Sequence, residues 1–298
     1  MSEVLTFANV RCGYVEGAWA VDGAGFGLAA GEVVGLVGRN GAGKTTLMRL
    51  ALGMLAPAAG RVAVFGRDPQ ADPVGIKSRL GYVAEDQILP SFLRVEDAVR
   101  QHQALFPAWD AGLERELRAR FALDGRARIG SLSKGQARQV ALLCAVCRRP
   151  ELLLLDEPAG GLDPVARREF LETAIRLLND TGTAILFSSH HLADLERLAR
   201  RVVLLHRGRV RLDTDLDELR EGCALAILPL DGAPRAEEAA GWDGCLSARR
   251  RPDGLHLLLR REASTARAWL AVEKGQRGAH CAPVGLEELF VELTGDGG

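Results

Sequence analysis

The apolar run Val33-Val34-Gly35-Leu36-Val37 enters the glycine-rich stretch Gly38-Arg39-Asn40-Gly41-Ala42-Gly43-Lys44-Thr45, and a segment of helical composition from Thr45 to Leu52 stops at Gly53. No other feature constrains the chain as much, because a strand, a glycine-rich turn and a helix start in this order form a phosphate-binding loop. Glycines let the backbone turn so that its N–H groups converge on phosphate oxygens, and the helix N-terminus adds positive potential. Lys44 supplies a point charge for β- and γ-phosphates, the Thr45 hydroxyl is placed to ligate Mg²⁺, and Thr46 adds a phosphate contact.

Phosphate-bound Mg²⁺ needs an acidic partner at the end of a neighbouring strand. Leu152-Leu153-Leu154-Leu155 ends in Asp156, which is assigned to the metal, and Glu157 beside it is assigned as the general base for the attacking water. A third run, Ala184-Ile185-Leu186-Phe187, ends in Ser188-Ser189-His190. Such short, continuous apolar runs are expected of buried parallel strands. Helical stretches between them, such as Val165 to Asn179 with Leu171, Ile175 and Leu178 on one face, predict an α/β core.

Residues 91–150 lack strand runs and are rich in Leu, Ala and Arg, which predicts a helical subdomain. The division expected is 1–220 for the nucleotide-binding domain and 221–298 for a small α+β extension. In the extension Ala224 to Leu230 and Leu255 to Leu259 read as strands, and Leu286, Leu289, Phe290 and Leu293 form the apolar face of a last helix with Glu287, Glu288 and Glu292 facing away.

With 38 basic against 39 acidic side chains, the chain has no overall field to gather nucleic acid or anionic lipid. Its apolar runs fall far short of the ~20 residues that cross a bilayer, and Met1-Ser2-Glu3-Val4 lacks the features of a secretory signal, so a cytoplasmic location is expected. The six scattered cysteines read as reduced thiols, and Cys144-Ala145-Val146-Cys147 reads as part of an apolar helix rather than a metal site.

Several motifs in order make the chain similar to the ABC ATPases over about residues 3 to 220. Leu132-Ser133-Lys134-Gly135-Gln136 resembles the family's signature sequence, Gly161-Leu162-Asp163 the loop that crosses the dimer interface, His190 the switch histidine, and Tyr14 the aromatic that stacks on adenine. The resemblance implies a P-loop NTPase core of the ABC type with an antiparallel β subdomain, and ATP and Mg²⁺ as ligands. It also implies a dimer, identical or mixed, in which Ser133, Gly135, Gln136 and Asp163 of one cassette close over ATP held by another. Phe106-Pro107-Ala108-Trp109-Asp110, the Leu-Ser-Lys-Gly form of the signature and Leu286-Glu287-Glu288-Leu289-Phe290 resemble single-cassette subunits of exporter-like systems. That points to separate integral membrane permease chains and a peripheral place on the cytoplasmic face of the plasma membrane, with no nucleic acid partner.

The sequence departs from the family in two places. Glu85 stands where many relatives carry glutamine, with Gln87 two residues on, and is kept as a candidate metal or water ligand; Lys134 replaces a glycine of the signature. The competing function is a soluble ABC ATPase acting on nucleic acid or the ribosome, but the chain has neither two cassettes nor a long coiled-coil insertion. Arg249-Arg250-Arg251 and Arg260-Arg261 read as solvated faces, and His191 as pointing away from the nucleotide that His190 faces.

Overall fold

The computed structural model describes residues 3–15, 17–85, 89–160, 162, 167, 168, 170–173, 175 and 182–295. They form two compact units, Met1–Asp213 and Thr214–Gly298. The division therefore falls a few residues before the expected 220/221, within the strand Arg209–Asp215.

In the first unit β1 (Glu3–Val15), β2 (Ala18–Ala29) and β4 (Ala59–Val64) make an antiparallel sheet in the order β2-β1-β4. A second sheet runs β5-β6-β7-β3-β8-β9, with β3 (Val33–Val37), β5 (Leu80–Val83), β6 (Leu152–Leu155), β7 (Ala184–Ser189) and β8 (Arg201–His206) mutually parallel and β9 (Arg209–Asp215) at its edge. Every residue of β3, β6 and β7 is buried, which is why these strands read as unbroken apolar runs rather than alternating ones. One core joins the two sheets: Leu5, Phe7 and Phe26 of the first, Leu36 and Leu154 of the second, and Leu47, Met48 and Leu50 of the helix α1 (Lys44–Ala51). The order carries a correction. β6 does not neighbour β3, because β7 lies between them, so the Asp156 end stands one strand away from the phosphate loop.

The helix α2 (Pro73–Arg79) precedes β5, and residues 91–150 hold α3 (Val95–Leu105), α4 (Ala111–Arg120) and α5 (Lys134–Val146), a short 3-10 turn and no strand. Asp110 caps α4 through the Leu113 N–H at 2.8 Å, and Ser133 caps α5. Cys144 and Cys147 are buried at the end of α5, and burial pushes the Cys144 thiol up to about 12, so both are inert packing residues.

The second unit has β10 (Ala224–Leu228), a helix Ala236–Ala240, β11 (Cys245–Arg251), β12 (Gly254–Leu259), a helix Ala263–Glu273 and β13 (His280–Pro283). The antiparallel sheet order β11-β12-β10-β13 makes this a ferredoxin-like β-α-β-β-α-β unit. Ala226, Leu257, Ala266, Trp269 and Leu270 share its core. β11 and β13 escape the sequence reading: β11 carries the arginine run and shows no apolar alternation. The closing helix Leu286–Thr294 brings a second correction, since Glu292 does not face away but is 3% exposed. Arg251 lies 2.6 Å from its carboxylate and His256 3.6 Å, and this offsets the desolvation that would otherwise turn the residue outward.

Candidate functional site

The C-terminal ends of β3, β6 and β7 deliver three loops to one side of the sheet, the usual place for a ligand in an open parallel sheet. After β3, Gly41 and Gly43 take φ of 79° and 107°, and a Cβ on Gly43 would stand 2.4 Å from the Ala20 carbonyl oxygen. That position therefore accepts only glycine. The loop walls an open cavity of about 430 Å³ lined by Tyr14, Ala20, every residue from Arg39 to Thr46, Glu85 and Glu157. Gly38 lies behind it, packed on Leu205.

Lys44 is 6% exposed, and its Nζ donates to the Gly38 carbonyl at 2.7 Å. It also sits 3.3 Å from Glu157 Oε1, an ion-pair distance without hydrogen-bond geometry, and that buried oxygen has no hydrogen-bond partner. The other carboxylate oxygen, Oε2, is 2.8 Å from His190 Nδ1 and accepts from the His190 backbone N–H at 3.4 Å. Glu157 reaches this position through a left-handed backbone, φ 44°, at the turn that follows β6. Its N–H donates to Ser188 Oγ at 2.8 Å, and the Ser188 hydroxyl donates to Asp156 Oδ1 at 2.8 Å. β7 thus supplies the serine that orients Asp156, and the residue just after it is the histidine that orients Glu157.

Asp156 is 1% exposed, and its charge adds to burial in pushing the Tyr82 phenol up to about 12. His191 lies against His190 at 4.0 Å between ring centroids with the rings tilted, and burial lowers its pKa. The Tyr14 ring is half exposed at the cavity rim, its hydroxyl 3.2 Å from Thr46 Oγ1 and accepting from Arg49 at 3.2 Å.

The signature residues are not brought into this cavity. Ser133 and Gln136 satisfy each other at the exposed start of α5: Ser133 Oγ accepts from the Gln136 N–H, and Gln136 Oε1 accepts from the Ser133 N–H, each at 3.1 Å. Gly135 packs beside Leu162. Asp163, Gly161 and Gln87 lie outside the described residues. Three participants escaped the sequence reading: Ser188, Arg49 and Arg138. Ser188 was signalled only by its place at a strand end, and the other two by nothing local.

The loop suits the polyphosphate of a nucleotide: a buried ammonium, backbone N–H groups at a helix start and glycine positions that a side chain would fill. Among the described residues no three His, Cys, Asp or Glu side chains cluster into a metal cage. A divalent ion would have to share the nucleotide's oxygens, as Mg²⁺ does.

Residues 21–160 match the family model described as ABC transporter. The chain is 31% identical to the daunorubicin resistance ATP-binding protein DrrA3 of Streptomyces coeruleorubidus, over 93% of this chain and 92% of that protein. It belongs to the ABC transporter ATP-binding proteins. The cassette is also 37% identical to the Nod factor export ATP-binding protein I of Rhizobium sp. (strain N33), over 63% of this chain and 64% of that one. A solved structure described as the ATP binding subunit of an ABC transporter superposes with a TM-score of 0.67 at 30% identity, covering 73% of this chain and 92% of that structure. The cassette is therefore an ATP-binding and ATP-hydrolysing subunit of an ABC transporter, and the reading as a soluble ATPase of nucleic acid or the ribosome is not favoured. No helix among the described residues is long and apolar enough to cross a membrane.

Proposed function

We propose that the cassette holds ATP in the cavity walled by Arg39 to Thr46, hydrolyses it with Glu157 as general base, and drives a separate integral membrane permease through closure of a dimer. The constellation Lys44–Glu157–His190 at that cavity carries this reading. Lys44 faces the β- and γ-phosphates. Glu157 offers Oε1, which is buried and without a hydrogen-bond partner, to a proton of the attacking water while His190 fixes Oε2 and so the carboxylate plane. Tyr14 stacks on the adenine. Thr45, Asp156 and Glu85 are the residues that would hold Mg²⁺, which neutralises phosphate charge and orients the γ-phosphate.

The second half of the site comes from another cassette. Ser133, Gly135 and Gln136 stand outside the cavity at an exposed helix start, whose positive end can meet a phosphate of another chain's nucleotide. With Asp163 they close over ATP bound by the partner. The full motif set in one chain permits an identical pair, and a different cassette would complete the site by the same contacts. Hydrolysis removes the shared phosphate and lets the cassettes part, which moves the permease. The name of the Nod factor relative supports export, from the cytoplasmic face of the plasma membrane.

The test is a cross-link. Asn40→Cys and Ser133→Cys are introduced together in a Glu157→Gln background, with Cys245 and Cys281, the two thiols that are not fully buried, replaced by serine. Disulfide formation needs Cα atoms within about 7 Å, so covalent dimers should appear with Mg²⁺-ATP and fade without it. Dimers seen by light scattering that never cross-link under ATP would rule out the head-to-tail arrangement.

A further inference from the structure

Arg138 stands on α5, in the turn that follows the Ser133 cap, and is half-buried. Its Nη2 donates to the Glu85 carbonyl at 2.7 Å, and its Nη1 donates to the carbonyls of Glu157 at 3.4 Å and Pro158 at 3.3 Å. One guanidinium thus spans two loops, one leaving β5 and the other leaving β6. Both loops line the candidate cavity, through the Glu85 and Glu157 side chains. The Glu157 carbonyl also accepts from the Gly160 N–H at 3.0 Å.

The cost of the left-handed φ of 44° at Glu157 matters here. A non-glycine residue persists in that conformation only where its surroundings hold it. From one side Ser188 accepts the Glu157 N–H, and from the other Arg138 donates to its carbonyl, so the peptide units flanking the residue are both gripped. Relaxing that backbone would swing the side chain away from Lys44 and His190. Arginine suits the task because its planar fork offers donors in several directions at once, and charge-assisted bonds are stronger than neutral ones. The same guanidinium links the helix that begins at Ser133 to the Glu157 loop.

We propose that Arg138 is a positioning residue for hydrolysis: it holds the Glu157 peptide so that the carboxylate meets Lys44 and His190, and it couples that position to the Glu85 loop and to the start of α5. The inference rests on Glu157 as the general base. It is tested on the full chain with its membrane partner, by single-turnover ATP hydrolysis and steady-state kinetics of Arg138→Ala, Arg138→Lys, Glu157→Gln and the pair Arg138→Ala with Glu157→Gln.

Arg138→Ala should lower the hydrolysis rate about tenfold or more while the KM for ATP stays within about twofold, the loss expected from removing charged hydrogen bonds that act on the transition state. Arg138→Lys should lose nearly as much, since one ammonium on a flexible stem lacks the fork that bridges two loops. Added guanidinium at non-denaturing concentration should restore turnover to Arg138→Ala and leave Arg138→Lys unmoved. In the Glu157→Gln background the further loss from Arg138→Ala should vanish, because a residue that acts through the carboxylate has nothing left to position. An undiminished loss there, or a raised KM at unchanged rate, overturns the positioning role. Undiminished turnover in Glu157→Gln itself overturns the base assignment instead, a result separate from either. Should Arg138→Ala fail to fold, as its melting curve would reveal, the lysine variant decides: wild-type turnover from it overturns the proposal.

Discussion

Glu157 in the first unit and Glu292 in the second are almost equally buried, at 6% and 3% exposure, and each lies beside a cation. Their settings differ. Glu157 follows a strand end in a left-handed turn and lines an open cavity, 3.3 Å from Lys44. Glu292 lies on a helix, its carboxylate 2.6 Å from Arg251 of β11 and 3.6 Å from His256 of β12. In the second case the pair fastens a helix to a sheet. In the first, the carboxylate lines the cavity, on a backbone that the fold must hold in place. A buried carboxylate with a cation is therefore no sign of chemistry by itself; the sign is its position at converging strand ends over a cavity.

The largest effect should separate the two glutamates outright. Glu157→Gln should cut the hydrolysis rate by about 10³-fold, within the range for a lost general base, with little change in melting temperature. Glu292→Gln should leave the hydrolysis rate per folded molecule unchanged and destabilise the second unit by about 1–3 kcal/mol, as expected when one partner of a buried charged bond is removed. Hydrogen exchange at β12 amides with ATPase assays on both variants checks this, and a Glu292→Gln protein that folds but cannot turn over ATP would break the contrast.

The glycines sharpen it next. Gly43 and Gly232 both take positive φ, 107° and 76°, but a Cβ on Gly43 would meet the Ala20 oxygen at 2.4 Å and one on Gly232 meets nothing within 4 Å. Gly43→Ala should abolish nucleotide binding by shifting the loop, whereas Gly232→Ala should cost about 1 kcal/mol of stability, the left-handed penalty alone. Equal nucleotide affinity in Gly43→Ala and wild type would show that the loop tolerates the displacement.

The smallest effect concerns Asp253, whose own backbone N–H and then His256 hold its carboxyl below the ordinary range. A lowered folded pKa stabilises above the unfolded value and is lost as pH falls through the folded one. Asp253→Asn should thus be less stable than wild type at neutral pH, and the gap should close in acid. Denaturation midpoints at pH 7 and at pH near 3 measure it; a gap that persists in acid would show that the pair acts by packing rather than charge.

Lys44 and Glu157 were readable from sequence because each lies in the segment that follows an apolar strand run, so its place in the chain already gives its place in the sheet, whereas the role of His190, after a third such run, came from the resemblance. Tyr14 and Glu85, which line the same cavity, came from the resemblance and not from any local pattern. The second unit was readable only where its strands are apolar, as in β10 and β12; β11, built of Cys245-Leu246-Ser247-Ala248-Arg249-Arg250-Arg251, has no such pattern.

Local order along the chain determined the phosphate loop, the acidic pair and the cap at Ser133, since the residues involved are a few positions apart and their geometry follows from backbone turns and helix ends. Only the tertiary structure decided that β7 lies between β3 and β6, that Ser188 and Arg138 grip the Glu157 peptide from two sides, and that Glu292 turns inward. The hydrogen bonds made by Ser188 and Arg138 join residues from 19 to 53 positions apart, among them Arg138 with Glu157 and with Glu85. Nothing in either local segment reports on the other: a buried charge or a strained backbone is stable only when a distant partner arrives, and the packing of the whole unit selects that partner.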